Sequence, residues 1–289
     1  MGQIVAAAIV SHQPGVMLPE AVRKQFGDGR DSTLIEGFAK IRAALDDARP
    51  DTLVIFDTHW FTTMQNLVTG AAHYRGRYTS DELPDLIPDH AYDFPGNPEL
   101  ADAIESVAKQ RGLRALAVKS TQMALHYPTL NLVHWLRKDE RIVSVGCCQH
   151  AEAADFLAFG EAIGEAIRKT DARVALLASG ALSHEFPPLS QPPKHPSFFH
   201  PDNITRPEHR ELDQRVIGLL ENGDHAAVLD LYPALRKAKI EGFGGHYLQM
   251  VGALGGAKFR AKGRAMSEYE AALGTGNIHI WFDLHGAAA

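Results

Sequence analysis

Three apolar runs in this chain stop in the same way. Asp51–Trp60 reads DTLVIFDTHW, an apolar run that breaks abruptly at Asp57, Thr58 and His59. Ile4–Val10 (IVAAAIV) runs into Ser11 and His12, and Val174–Ala178 (VALLA) runs through Ser179 and Gly180 to Ser183 and His184. Short apolar runs closed by polar residues predict buried strands. Each predicted strand therefore delivers a histidine at or just past its C-terminal end. That edge is where open α/β sheets bind ligands.

Between these runs the period changes. In Ser32–Asp47 the apolar residues Leu34, Ile35, Phe38, Ile41 and Leu45 recur at helical spacing, with Ser32 placed to cap the N-terminus. Pro98–Arg111, with proline in the first turn, and Ala151–Thr170, with Phe156, Phe159, Ile163 and Ile167 on one face, predict two more helices. Residues 206–222, 224–232 and 247–254 predict the remaining helices. Residues 65–70, 71–78, 115–119, 141–147 and 274–282 read as strands. Asp85–Asn97, rich in proline, aspartate and aromatics, reads as an ordered loop. Pro128 after Tyr127 stops any helix there, and Leu130–Trp135 begins a new apolar element. Glu185–Thr205 holds six prolines and has no periodicity, which predicts a long ordered loop or lid of the kind that carries function. Strands alternating with helices place the chain in the α/β class, and the lack of repeats, linkers or low-complexity tracts predicts one domain over residues 1–289.

Composition excludes several function classes. With 45% hydrophobic and 22% charged residues and a net charge of −6, the chain is an ordinary globular sequence without the basic footprint that nucleic acid requires. No apolar run approaches the roughly 20 residues of a membrane span. The apolar N-terminal stretch lacks a basic leader and reads as a first strand rather than a signal peptide, and Ala6 argues against myristoylation of Gly2. The two cysteines, Cys147 and Cys148, are sequence neighbours that read as small buried residues in a reducing, cytoplasmic setting. Fifteen histidines in 289 residues is well above ordinary usage and points to a metal.

His12 and His59 both end strands, so both can face one crevice. A facial metal site needs a third, anionic ligand, and Glu241 in KIEGFGGH is the best candidate, because a carboxylate among glycines can approach a metal without backbone obstruction. Two histidines and one carboxylate leave open positions, the arrangement of non-haem Fe(II) oxygenases. Taken singly, a strand-end histidine is more often structural, Glu241 alone would be a solvated loop acid, and the chain has no compact HxH or HExxH motif.

The set of motifs is more informative than its parts. SHQPG, VIFDTHW, YTSDELP, YDFPGNPEL and LASGALSH occur in that order, and together they resemble the class III (LigB-like) extradiol ring-cleaving dioxygenases, especially members acting on 3,4-dihydroxyphenylacetate. The resemblance runs from Ile4 to about Phe282. It implies a central mixed sheet flanked by helices, Fe(II) held by His12, His59 and Glu241, and cleavage of a small aromatic diol by O2 to a ring-opened semialdehyde. It further implies that His184 is an acid–base residue and that His126, in MALHYP, assists proton transfer. Beside these, His195 and His200 in the proline-rich loop are placed to line the pocket mouth, and His246 to stand behind the metal. Phe186, Phe198, Phe199 and Phe243 are placed to pack on an aromatic ring. For a carboxylate-bearing diol, Arg206, Lys194 and His200 are the candidate partners. The remaining histidines, His73, His90, His134, His150, His209, His225, His279 and His285, read as surface or core. A 2-aminophenol fits the same site, a zinc-dependent hydrolase would use the same ligands with a bound hydroxide, and the intact set His12, His59, Glu241 and His184 argues against a non-enzymatic relative of this fold. The chain is expected to form a homo-oligomer or to join a small partner subunit, and to engage neither nucleic acid nor membrane.

Overall fold

The computed structural model of the protein describes residues 1–284. His285 lies outside the described residues. Twelve strands and nine α-helices follow in this order: β1 (Gln3–Val10), α1 (Glu20–Phe26), α2 (Thr33–Ala48), β2 (Thr52–Thr62), β3 (Asn66–Thr69), β4 (His73–Tyr78), β5 (His90–Pro95), α3 (Pro98–Gln110), β6 (Ala115–Val118), α4 (Tyr127–Leu136), β7 (Arg141–Cys148), α5 (Ala153–Lys169), β8 (Arg173–Ser179), α6 (Pro207–Glu221), α7 (His225–Asp230), α8 (Tyr232–Lys237), α9 (Gly245–Ala253), β9 (Gly263–Ala265), β10 (Glu270–Ala272), β11 (Thr275–Asn277) and β12 (Ile280–Phe282). Eight strands form one mixed sheet in the order β6-β3-β7-β2-β8-β1-β12-β9. Its centre is parallel: β7, β2, β8 and β1 run the same way, with β8 between β2 and β1. The flanks carry the antiparallel pairs β3/β7, β1/β12 and β12/β9.

The continuous apolar runs form central strands because both faces of the sheet are covered. Along β2, Val54 and Phe56 join one core with the inner faces of α3, α5 and α9, while Leu53 and Ile55 join the other with α2 and α4. Each of the large side chains buried there contributes roughly 1.5–3 kcal/mol. Helix α2 starts where Ser32 accepts a hydrogen bond from the Leu34 amide. Helix α5 carries the predicted stripe of Phe156, Phe159, Ile163 and Ile167, all buried. No described helix is long and apolar enough to cross a membrane.

Four expectations are corrected. The strand beginning at Asp51 does not end at His59: β2 runs on to Thr62 through a bulge described below. Residues 85–97 are not wholly loop, because β5 pairs along its length with β4 to form a separate hairpin. Pro128 does not prevent a helix. It sits in the first turn of α4, where its missing N–H costs nothing, and the apolar element starting at Leu130 is the body of that helix. The expected strand over 274–282 is two strands, β11 in a hairpin with β10 and β12 in the main sheet. The proline-rich segment is irregular apart from a short 3-10 turn at Pro201–Asn203.

Helices α5 and α9 meet at glycines. A Cβ added to Gly160 would lie 2.1 Å from the Gln249 carbonyl oxygen, and one on Gly252 2.4 Å from that of Leu157. This contact places α9, and with it the segment carrying Glu241, against the sheet. Gly160→Ala is therefore expected to destabilise the protein by about 1–3 kcal/mol, the usual cost of overpacking, in urea or thermal unfolding. An unchanged midpoint would show that the two helices separate without penalty.

Candidate active site and metal centre

His12, His59 and His184 follow β1, lie within β2 and follow β8, three adjacent parallel strands. Parallel neighbours about 4.8 Å apart bring their C-terminal ends into one row. The sheet thus converts three distant sequence positions into one cluster.

The local devices differ at each strand. In β2, Phe56 pairs with Val145 and Phe61 with Cys147, so five steps on β2 face two on β7 and three residues are surplus. The buried Asp57 carboxylate pins this bulge. Its Oδ1 accepts the backbone N–H groups of His59 (2.9 Å) and Trp60 (3.0 Å), and its Oδ2 accepts the amide (3.1 Å) and hydroxyl (2.6 Å) of Thr129 in α4. The bulge directs the His59 ring into the site. His12 is oriented by its Nδ1, 2.9 Å from the Ser179 hydroxyl at the end of β8. His184 ends a turn in which Ser183 donates its amide (3.0 Å) and hydroxyl (2.6 Å) to the fully buried Asp213, which Tyr269 also contacts at 2.6 Å. Burial raises the Asp213 pKa to about 6 against those hydrogen bonds.

Glu241 closes the cluster from the other side. It begins a short turn in which Gly242 (φ 52°), Phe243 (φ 59°) and Gly244 (φ 76°) are left-handed. A Cβ on Gly242 would sit 2.6 Å from the Thr58 methyl in the bulge, so the turn approaches β2 closely only with glycine there. The Glu241 carboxylate is buried. Its Oε1 lies 3.0 Å from His12 Nε2, 2.9 Å from His59 Nε2, 3.1 Å from the Thr58 hydroxyl and 3.6 Å from His184 Nε2. Its Oε2 accepts the Ala181 amide at 2.5 Å. Burial by itself would raise its pKa, but the neighbouring imidazoles of His12 and His184 and the hydrogen bonds from His12 and His59 hold it well below the usual carboxylate range.

Burial likewise pulls the His59 pKa down, yet the hydrogen bonds of Glu241 and of Glu82, whose Oε2 is 3.2 Å from Nδ1, prevail and raise it to about 10. His184 is lowered by burial, with Glu241 opposing. The Tyr127 hydroxyl lies 3.0 Å from His59 Nε2, and burial with the charges of Glu241 and Glu82 drives its pKa up, so it stays protonated.

These donors suit a divalent cation. One ligand atom from each of His12, His59 and Glu241 falls within a 4.8 Å group, and two neutral-capable imidazoles facing one carboxylate is the donor set of facial metal sites. The carboxylate of Glu82 on His59 Nδ1 supplies the outer partner that metal-bound histidines commonly have.

The cluster opens on a cavity of about 440 Å³ lined by His12, Tyr127, His184 and Glu241. Phe186, Phe198 and Phe199 line it as well, and Phe186 stands edge-on to His184 with ring centres 4.8 Å apart. Phe243 faces elsewhere, against Phe61 and under the Arg236 guanidinium. His126 precedes α4 and is not among the cavity-lining residues; its neighbour Tyr127 is. His195 and His200 stack on each other, centres 3.8 Å apart, away from the cavity wall. His246 is buried against Gly180, neither ring nitrogen has a partner among the described residues, and burial pushes its pKa down to about 4. Of the histidines read as surface or core, His209, His225 and His279 are buried. Sequence reasoning missed Tyr127, Glu82 and the structural role of Asp57. YTSDELP held the only signal for Glu82, and Tyr127 had none beyond its proline neighbour.

The family described as the catalytic LigB subunit of aromatic ring-opening dioxygenase matches residues 6–276. The chain is 33% identical over 236 residues to a 3,4-dihydroxyphenylacetate 2,3-dioxygenase of Escherichia coli, covering 81% of this chain and 83% of that one. It is 26% identical over 297 residues to a 2-aminophenol 1,6-dioxygenase beta subunit of a Pseudomonas species, covering 98% and 95%. The crystal structure of an uncharacterized Escherichia coli protein superposes with a TM-score of 0.61 over 96% of this chain and 100% of that one, at 16% identity, and so shares the fold.

The raised His59 pKa has a measurable consequence. Its folded value of about 10 exceeds the unfolded value of 6.5, so its stabilisation of the metal-free protein is complete below pH 6.5 and is lost as pH rises through about 10. A metal must displace that proton. Divalent metal affinity, measured by titration between pH 7 and 9, is expected to rise by about tenfold per unit. A flat profile would show that His59 carries no proton at these pH values in the metal-free protein.

Proposed function

The chain belongs to the LigB family and is an extradiol aromatic ring-cleaving dioxygenase, and from that premise we propose that it uses Fe(II), held by His12, His59 and Glu241, to cleave a ring-substituted catechol with O2. The reading takes residues 1–289 as one catalytic domain with residues 185–205 as its active-site loop. The observation that carries it is the convergence of both His12 and His59 Nε2 atoms, at 3.0 and 2.9 Å, on one buried Glu241 oxygen beside an apolar cavity. Ferrous iron held there would supply a Lewis acid for the diol and an electron path between the ring and O2.

The chain's own residues manage protons and water. His184 lines the cavity and burial keeps its imidazole neutral near pH 7, so its Nε2 can take a proton from a diol hydroxyl and return one as the ring carbon–carbon bond beside the diol breaks. Tyr127 presents a hydroxyl that remains a donor throughout. Phe186 against His184, with Phe198 and Phe199, keeps bulk water from the reacting face. The reaction places both atoms of O2 in a ring-opened semialdehyde.

A 2-aminophenol is the second reading, because it offers the same adjacent donor pair and the Pseudomonas relative is named for it. That relative is a beta subunit. The mass of the active species therefore decides between a homo-oligomer and a complex with a small partner.

The test is anaerobic reconstitution with Fe(II), followed by O2 uptake and visible absorbance with catechols and 2-aminophenol. A yellow product with about one O2 consumed per substrate is expected. No uptake with any of them, in protein shown to hold iron, would overturn the reading. Two variants separate the roles. Glu241→Ala is expected to lose iron and activity while the fold survives. His184→Phe is expected to keep iron while turnover slows by about 10²–10⁴; an unchanged rate would remove His184 from proton transfer.

A further inference from the structure

The cavity is larger than a bare diol requires and lies within the size range of small-molecule pockets. With a diol at the cluster end, the remaining wall would meet the ring substituent. Resting on the ring-cleavage reading above, we propose that this wall selects a catechol whose substituent is uncharged and apolar, an alkyl or aryl group, over one that bears a carboxylate.

Among the described residues the cavity wall offers no uncommitted lysine or arginine. A buried carboxylate needs a paired charge or a full set of donors. Arg23 is the one arginine or lysine lining the cavity among the described residues, and it is already committed. Its Nε and Nη2 each donate to Asp31, both at 2.8 Å, and Nη1 donates to the Leu18 carbonyl. The pair is neutral, and its side chains are only 9% and 21% exposed. The cations expected from the sequence are elsewhere. Lys194 donates to the carbonyls of Ile204 and Thr205, Arg206 pairs with Glu185 at 2.8 Å, and His200 stacks on His195.

Most other side-chain polar groups of the wall are also committed within the protein. Gln13 Oε1 accepts the Gly15 amide, Asn277 accepts the Ser11 hydroxyl at 2.7 Å and donates to Thr275, and the Thr275 hydroxyl donates to Ala272. Gln13 Nε2 has no partner among the described residues, but a single neutral donor falls short of the paired charge or full donor set that a buried carboxylate needs. The Glu82 carboxylate also lines the cavity and would repel it.

Eight large hydrophobic side chains are exposed among the described residues, and three of them, Phe26, Phe186 and Leu273, line this cavity. Phe26 and Phe198 face each other with ring centres 6.0 Å apart. Apolar surface concentrated at a cavity is surface that an apolar ligand covers.

The test compares 4-ethylcatechol with 3,4-dihydroxyphenylacetate on the iron-loaded protein, by kcat/KM and by calorimetric titration without O2. The neutral diol is expected to be favoured about tenfold or more in both. Asp31→Asn, which frees the Arg23 guanidinium, is expected to raise the acid-to-neutral ratio several-fold. Glu82→Gln reads the same ratio should the first variant fail to fold, and the ratio cancels any loss of iron common to both substrates. Equal or better turnover and binding of the acid by the wild type would overturn the proposal and leave ring cleavage intact. Selective binding of 4-ethylcatechol with no diol cleaved would sink the ring-cleavage reading and leave the selectivity standing.

Discussion

A buried carboxylate at the end of a cavity organises this protein. An isolated buried charge is prohibitively costly, so Glu241 exists in this position only because other groups converge on it. Two imidazoles, a threonine hydroxyl and a backbone amide do so, from β1, from the bulge of β2 and from the turn after β8. The need to compensate one oxygen pair therefore ties together segments more than two hundred residues apart in the chain. The same crowding of donors around an anion is what a divalent cation requires when it takes the place of a proton.

The scaffold meets this need by rigid means. Three parallel strands stand side by side with both faces covered, so their ends cannot drift relative to one another. Within that frame two further buried carboxylates set the finer geometry. Asp57 holds the β2 bulge by accepting four hydrogen bonds, and Asp213 holds the turn before His184 by accepting three. Neither lines the cavity; each keeps in place a side chain that does its work at the cluster. Interactions of this kind lose little entropy when substrate arrives, because the geometry is already formed.

The cavity divides into two environments. One end is dense in ionisable groups whose proton affinities are pulled apart, with His59 raised, His184 lowered and Tyr127 held protonated. Such divergence is how a site keeps an acceptor and a donor available at one pH. The rest is aromatic and aliphatic wall in which every charge is internally paired or belongs to Glu82.

Much of this was legible in the chain alone. Apolar runs ending in polar residues marked β1, β2 and β8, because strands buried on both faces need unbroken apolar sequence, and helical spacing marked α2, α3 and α5 for the complementary reason. The order of the motifs, among them those around His12, His59 and His184, carried the family. What the sequence could not carry was anything decided by which segments meet. The β2 bulge depends on β7 and α4 lying alongside, so the strand was expected to stop at His59. Pro128 was expected to break a helix because its tolerance depends on its place in the first turn. Tyr127 rather than His126 lines the cavity because α4 begins there, and Arg23 is neutral as a unit because Asp31 folds back onto it. Local pattern determines which elements form; the pairing of charges and the lining of a cavity are properties of contacts between elements, and only the tertiary structure supplies those.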